Sequence, residues 1–217
     1  MNFGTPVTIS LNLIRDFVYQ AKRKGFAGAE KKTTLTDQSS VYSYRPFESA
    51  RFAGMIYTDQ YNGNTAERGH ESVSIDLVTR WSNQYFGGTL EAFLGKDGCV
   101  TLKDPDVQSL IAVGGSETPQ VVTEFLKSAL MRMNEHFPVR GPSKYRATEV
   151  LYGGLRFGGD WVYENQWKAV PLHGTCDPFA SYIGQERILL NGIQLYWHVY
   201  HGGLILDKYF PFVLAEM

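Results

Sequence analysis

Apolar residues recur at helical spacing after Ser10, with Leu11, Ile14, Phe17, Val18 and Ala21 on one stripe and Gly25 as a stop, which predicts a helix over 10–24. Its last turn carries Lys22, Arg23 and Lys24, where cations favour the negative end of the helix dipole, and this cluster reads as a solvated helix end. Residues 29–40 are polar and lack a period, as a loop would. The pattern then changes. Residues 41–44, 52–61 and 71–86 are rich in aromatic and β-branched side chains and read as strands. A short strand over 89–93, a turn at 95–98, another short strand through Leu102 and a short helix over 106–112 follow. A second long helix opens after Gly114-Gly115, with Thr118 as N-cap and Pro119 in the first helical position. Its stripe is Val122, Phe125, Leu126, Ala129, Leu130 and Met133. Pro138, Gly141 and Pro142 end it, and a second strand-rich run occupies 145–206.

Helix followed by sheet thus occurs twice, and the residues repeat with it. Placed over 184–203 without a gap, 69–88 brings Gly69 onto Gly184, Glu71 onto Glu186, Tyr85 onto Tyr200 and Gly87-Gly88 onto Gly202-Gly203. Arg51-Phe52-Ala53-Gly54 is echoed by Arg156-Phe157-Gly158-Gly159, Tyr57-Thr58-Asp59-Gln60-Tyr61 by Tyr163-Glu164-Asn165-Gln166-Trp167, and Phe17 to Ala21 by Phe125 to Ala129. The expected fold is α+β: two similar halves, 1–115 and 116–217, each a helix packed on an antiparallel β-sheet, related by a pseudo-twofold and packed as one globular unit.

Asn191-Gly192 has the residues of a two-residue type I′ turn. A regular ladder from that turn sets Leu190 opposite Ile193, Ile188 opposite Leu195 and Glu186 opposite Trp197 on the core side. Arg187, Leu189, Gln194, Tyr196, His198 and Tyr200 then form the other side, an aromatic surface able to line a pocket. A carboxylate among apolar neighbours needs a cation or donors. For Glu71 the same register offers Arg80; for Glu186, with Leu195 in the equivalent place, the candidate is Arg156, the counterpart of Arg51.

The chain has 21 basic and 22 acidic residues, so no whole-protein field favours nucleic acid or an anionic membrane. Its first residues lack a signal-peptide pattern and no apolar run is long enough to span a bilayer, so a cytoplasmic location is expected. Cys99 and Cys176 fit neither a disulfide framework nor paired metal ligands. The glycine pairs lack the context of a nucleotide loop. No cofactor or metal is expected: His198 and His201, with His173, would need strand neighbours on one face.

The expected function is a binding module for a small molecule or protein partner, using Tyr85, Tyr200, Tyr196, Trp81, His198, Glu71, Glu186, Arg51 and Arg156 near the repeat interface. Alternatives are a hydrolase or lyase acting through Glu71 and Glu186 or the loop carrying His173, Cys176 and Asp177, and an inhibitor or immunity-type protein acting by occlusion.

Phe17-Val18-Tyr19-Gln20-Ala21-Lys22, Phe26-Ala27-Gly28, Tyr57-Thr58-Asp59-Gln60-Tyr61, Gly69-His70-Glu71-Ser72-Val73 and Trp81 with Tyr85-Phe86-Gly87-Gly88 resemble an uncharacterised bacterial domain family. The resemblance covers 13–88 and, more loosely, 121–205, as a tandem. It departs from the family at 64–68, where a glycine and a phenylalanine-alanine-glycine would stand. The family is one of unknown function, sometimes attached to a helix-turn-helix, and implies no catalytic residue.

Overall fold

The computed structural model describes residues 10–25, 33–35, 39–46, 49–63, 66–89, 105–114, 117–172 and 177–205. Among these residues three α-helices, α1 (Leu11–Lys24), α2 (Pro105–Gly114) and α3 (Thr118–Leu130), accompany nine strands. These are β1 (Thr33–Thr34), β2 (Ser40–Tyr44), β3 (Met55–Asn62), β4 (Ala66–Ile75), β5 (Val78–Thr89), β6 (Lys144–Tyr152), β7 (Leu155–Ala169), β8 (Ser181–Leu190) and β9 (Ile193–Leu204). They form one antiparallel sheet in the order β1-β2-β3-β4-β5-β9-β8-β7-β6. The fold is therefore α+β with one continuous nine-stranded sheet, joined at its centre by β5 and β9, where Tyr85 stands opposite Tyr200.

Both long helices bury the stripes that their periodicity predicts. Ile14, Phe17, Val18 and Ala21 of α1 pack with Tyr42, Tyr57, Val73 and Trp81 in one core cluster. Val122, Phe125, Leu126, Ala129 and Leu130 of α3 pack with Trp161, Tyr163, Ile188 and Leu195 in the other. Two details of the helix ends differ from expectation. Gly25 has a negative φ, so it is not a left-handed cap; a Cβ there would lie 2.4 Å from the Tyr42 ring, and close approach is what requires glycine. Thr118 is the first residue of α3 instead of its N-cap, and its hydroxyl donates to the Leu110 carbonyl at the end of α2. Candidate strands over 90–104 and the loop carrying His173 and Cys176 lie outside the described residues.

The hairpin turns are as the sequence implies. Asn191 and Gly192 have φ of 51° and 79°, and Asp76 and Leu77 of the earlier hairpin have 49° and 67°. The ladders beyond the turns are not regular. The register shifts between Ile188 and Leu189, so Ile188 pairs with Tyr196 and Glu186 with His198 instead of Trp197. One extra residue, Leu195, bulges from β9 and inverts the facing of everything after it. Tyr196, His198 and Tyr200 consequently join Glu186 on the buried side, and Trp197 turns to the opposite face, edge-on to the half-exposed Phe86. The earlier hairpin shifts between Val73 and Ser74, with Arg80 as the extra residue, so Arg80 is not the partner of Glu71.

At the inner ends of these hairpins the chain admits no side chain. A Cβ on Gly184 would lie 2.4 Å from the Tyr200 ring, and one on Gly69 2.3 Å from the Tyr85 ring, whereas one on Gly158 would meet nothing within 4 Å. Gly184→Ala and Gly69→Ala are expected to lose about 1–3 kcal/mol each in urea unfolding, with Gly158→Ala within about 0.5 kcal/mol of wild type.

Candidate functional site

Two carboxylates on neighbouring hairpins anchor a buried polar network between helices and sheet. Glu71 on β4 is 3% exposed and Glu186 on β8 is 1% exposed. Glu71 accepts from Lys22 Nζ at 2.7 Å and from Asn83 Nδ2 at 2.9 Å, and Tyr57 directs its hydroxyl to the same carboxylate. Lys22 also donates to the Val139 carbonyl at 2.6 Å, tying the end of α1 to the segment that follows α3. The basic cluster at the end of α1 is thus not wholly solvated: Arg23 and Lys24 are exposed, whereas Lys22 is buried. Its position was readable, since Lys22 stands one helical turn after Val18 on the apolar stripe.

Glu186 accepts from the Tyr163 hydroxyl at 2.5 Å and lies 3.6 Å from Arg140 Nη1. His198 Nδ1 lies 3.1 Å from Glu186 Oε1 but is poorly aligned with it, so that contact is electrostatic more than a formed hydrogen bond. Arg140 Nη2 is 3.3 Å from His198 Nε2. A guanidinium only donates, so Nε2 is the acceptor and Nδ1 carries the proton of a neutral imidazole. Burial and the Arg140 charge lower the His198 pKa in agreement with this, against the opposing pull of Glu186. The ion-pair partners of the two glutamates are therefore Lys22 and Arg140; Arg51 pairs with Asp16, and Arg156 with Glu149, at exposed positions.

Asp59, paired with Glu71 across β3 and β4, completes the cluster. It accepts from the Tyr85 hydroxyl at 2.7 Å, and no ion pair reaches it among the described residues. Burial, then the charge of Glu71, raise its pKa to about 7. Burial is the largest influence on Glu71 and Glu186 and opposes their ionisation, but Lys22, Arg140 and Asn83 together outweigh it at Glu71, and Arg140, His198 and Tyr163 together hold Glu186 at about 2. Neighbouring carboxylates with diverging proton affinities can act as acid and base or can bind a charged group.

Asp59, Glu71 and Tyr85 line a cleft with Lys22, Tyr57, Tyr61, Glu67 and Arg140 as polar partners and Leu126, Leu130, Met133 and Val139 as its apolar wall. Its free volume of about 40 Å³ is room for ordered water or a ligand head group. Of the residues singled out from sequence, Tyr85 and Glu71 line it. Tyr196, Tyr200, His198 and Glu186 lie behind it, with Tyr196 donating to Glu67 at 2.9 Å and Tyr200 to Asn165 at 2.7 Å. Trp81 is in the core, stacked on Phe179. Lys22, Asp59, Glu67 and Arg140 were not singled out as site residues; the alternation in Tyr57-Thr58-Asp59-Gln60-Tyr61 does put Asp59 on the face of its tyrosines. No group of three or more His, Cys, Asp and Glu among the described residues could hold a metal ion. No helix among them is long and apolar enough to cross a membrane.

Folded Asp59 keeps its proton to about pH 7, whereas the unfolded side chain loses it at about 3.8. Between those values the folded state binds more protons, so this contribution is full below the lower value and is lost as pH rises through 7. Asn165 already holds the Tyr200 hydroxyl in the way Asp59 holds that of Tyr85. Asp59→Asn is therefore expected to keep the fold and to gain about 2 kcal/mol over wild type on going from about pH 5 to pH 8, read by urea unfolding at both. Glu186→Gln leaves Arg140 buried without its counter-charge and is expected to cost about 3–5 kcal/mol near neutral pH in the same assay.

The model of a family described as a domain of unknown function, DUF5680, matches residues 90–205, which include α2, α3 and β6 to β9. The resemblance noted from sequence is carried mainly by 13–88, so the match falls on the other part of the chain. No curated protein and no solved structure matches. With more than half of its 217 residues matched, Arg140, Glu186 and His198 among them, the chain belongs to the DUF5680 family of domains of unknown function.

Proposed function

We propose that the protein is a binding module for a small molecule whose head group enters the cleft between the C-terminal parts of α1 and α3 and the central strands. The observation that carries this is the buried network of Lys22, Asp59, Glu71, Arg140, Glu186 and His198, which reaches the cleft through Asp59, Glu71 and Arg140. Burying that many ionisable groups is a poor route to stability, and perturbed titration in a cleft favours a functional site.

In the same reading the chain is two related α+β halves, 1–115 and 116–217, about a pseudo-twofold between Tyr85 and Tyr200. Matched contacts support it. Tyr85 bonds Asp59 as Tyr200 bonds Asn165; Asn83 faces Glu71 as His198 faces Glu186; Gly69 admits the Tyr85 ring as Gly184 admits that of Tyr200. The halves then differ where ligand chemistry would need them to. In the second half Phe137 stacks on Trp167 at 4.0 Å and Asn165 donates to the Gly141 carbonyl, so the place corresponding to the cleft is filled by the chain itself.

A second reading, a hydrolase or lyase, is favoured by one observation: Asp59 takes up and releases its proton near neutrality beside an ionised Glu71. Glu71 and Glu186 in that scheme would be the fixed charges and Asp59 the group that moves a proton.

A fragment screen by thermal shift should give compounds that raise the melting temperature of wild type. Met133→Trp, which fills the apolar wall of the cleft, is expected to abolish those shifts, while Trp167→Ala, which is not among the residues lining the cleft, leaves them unchanged. Hits indifferent to Met133→Trp would place binding elsewhere.

A further inference from the structure

The charges around the cleft do not balance. Its two cations are already engaged: Lys22 is 2.7 Å from Glu71, and Arg140 is 3.6 Å from Glu186. Two further carboxylates line the same space, Asp59 and Glu67, and among the described residues neither has an ion-pair partner. What each receives is a neutral tyrosine hydroxyl, from Tyr85 and Tyr196 respectively. Asp59 is 6% exposed, so it lacks the bulk water that would screen an unmatched surface carboxylate. The walls are tyrosine rings and aliphatic side chains, and the Arg140 guanidinium already lies 4.9 Å over the Tyr85 ring, so these rings accept a cation.

We infer that the cleft takes the ammonium group of a small organic amine, seated between the Asp59 and Glu67 carboxylates with its alkyl part toward Leu126, Leu130 and Met133. This rests on the binding reading above and names its ligand class. A free volume of about 40 Å³ has room for an ammonium head, and an anion would meet two carboxylates that lack ion-pair partners among the described residues. The carboxylates do not converge as a metal-ligand set among the described residues, which separates an organic cation from a metal ion. The second half of the chain supplies a contrast. Asn165 stands where Asp59 stands, and there the neighbouring chain, through the Gly141 carbonyl, takes the place a ligand would occupy.

Binding of an amine requires ionised Asp59, so affinity should rise with pH through about 7 while the amine stays protonated. The groups facing Asp59 are Lys22 from α1, Tyr42 from β2, Tyr57 and Tyr61 from β3, Glu67 and Glu71 from β4, Tyr85 from β5 and Arg140 from the segment after α3. Within that set, the tyrosine pKa values at 57 and 85 are pushed well up, Glu71 is held ionised, burial draws Lys22 down against the pull of Glu71, and Asp59 is pushed up to about 7.

The test titrates the full chain at about pH 8 with butylammonium, butanol, butyrate and calcium chloride, following backbone amide NMR shifts. Butylammonium is expected to move the resonances of cleft residues, to bind about tenfold or more weakly to Asp59→Asn and to Glu67→Gln, and to lose binding to Met133→Trp. Asp59→Asn keeps the acceptor for the tyrosine hydroxyl that Asn165 offers Tyr200, so its fold is retained and its loss of binding reports charge. Equal binding of butanol or butyrate, or an Asp59→Asn affinity unchanged from wild type, would overturn the amine assignment. If Met133→Trp still blocks those neutral or anionic probes, the cleft remains a binding site of another class. Calcium binding that displaces butylammonium would also overturn it in favour of a metal. Silence from every probe, with wild type folded, would overturn both the amine and the cleft.

Discussion

Two carboxylates that the sheet cannot neutralise from within govern this structure. Glu71 and Glu186 point to the helix side of adjoining hairpins, and each finds its cation outside the sheet: Lys22 at the end of α1, Arg140 in the segment after α3. A buried charge left unpaired is far more costly than any single apolar contact is favourable, so these partners fix how the helices sit on the strands. Lys22 does more than pair with Glu71. Its bond to the Val139 carbonyl and the Tyr182 hydroxyl bond to Asn83 run between the two parts of the chain, so the electrostatic core and the sheet's central β5–β9 seam hold the same parts together.

Around those anchors tyrosines and asparagines orient the network. Tyr57 and Tyr163 address the glutamates, Tyr85 and Tyr200 address Asp59 and Asn165, and Asn83 receives from Tyr182 while donating to Glu71. Such groups contribute little net stability, but each holds its neighbour in one orientation. Rigidity of this kind is what the proposed head-group site requires, and among the described residues Asp59 is the member of the network without an ion-pair partner.

The bulges decide which side chains share that interior. Without the extra residue at Leu195, Tyr196, His198 and Tyr200 would face away from Glu186, and Trp197 would lie over it. A bulge takes one residue and reverses every position beyond it, yet it leaves almost no local signature, because Leu195 and Arg80 are both ordinary strand residues. The regular ladder drawn from the Asn191-Gly192 turn therefore put Glu186, Ile188, Leu190 and Leu195 correctly on the core face but set Trp197 there in place of Tyr196, His198 and Tyr200.

The sequence by itself determined the helical stripes, the hairpin turns at Asn191-Gly192 and their earlier counterpart, and the inward placement of Glu71 and Glu186, because each follows from spacing within one element. It also carried the marks of Lys22 on an apolar stripe and of Asp59 in step with Tyr57 and Tyr61. Which cation meets which carboxylate was decided only by tertiary structure. Lys22 and Glu71 are 49 positions apart and Arg140 and Glu186 lie on different segments, so their pairing depends on a bulged register and on helices docked across the sheet. Local propensity carries information about neighbours in the chain, while charge compensation in a buried site is settled by whatever the fold brings within reach.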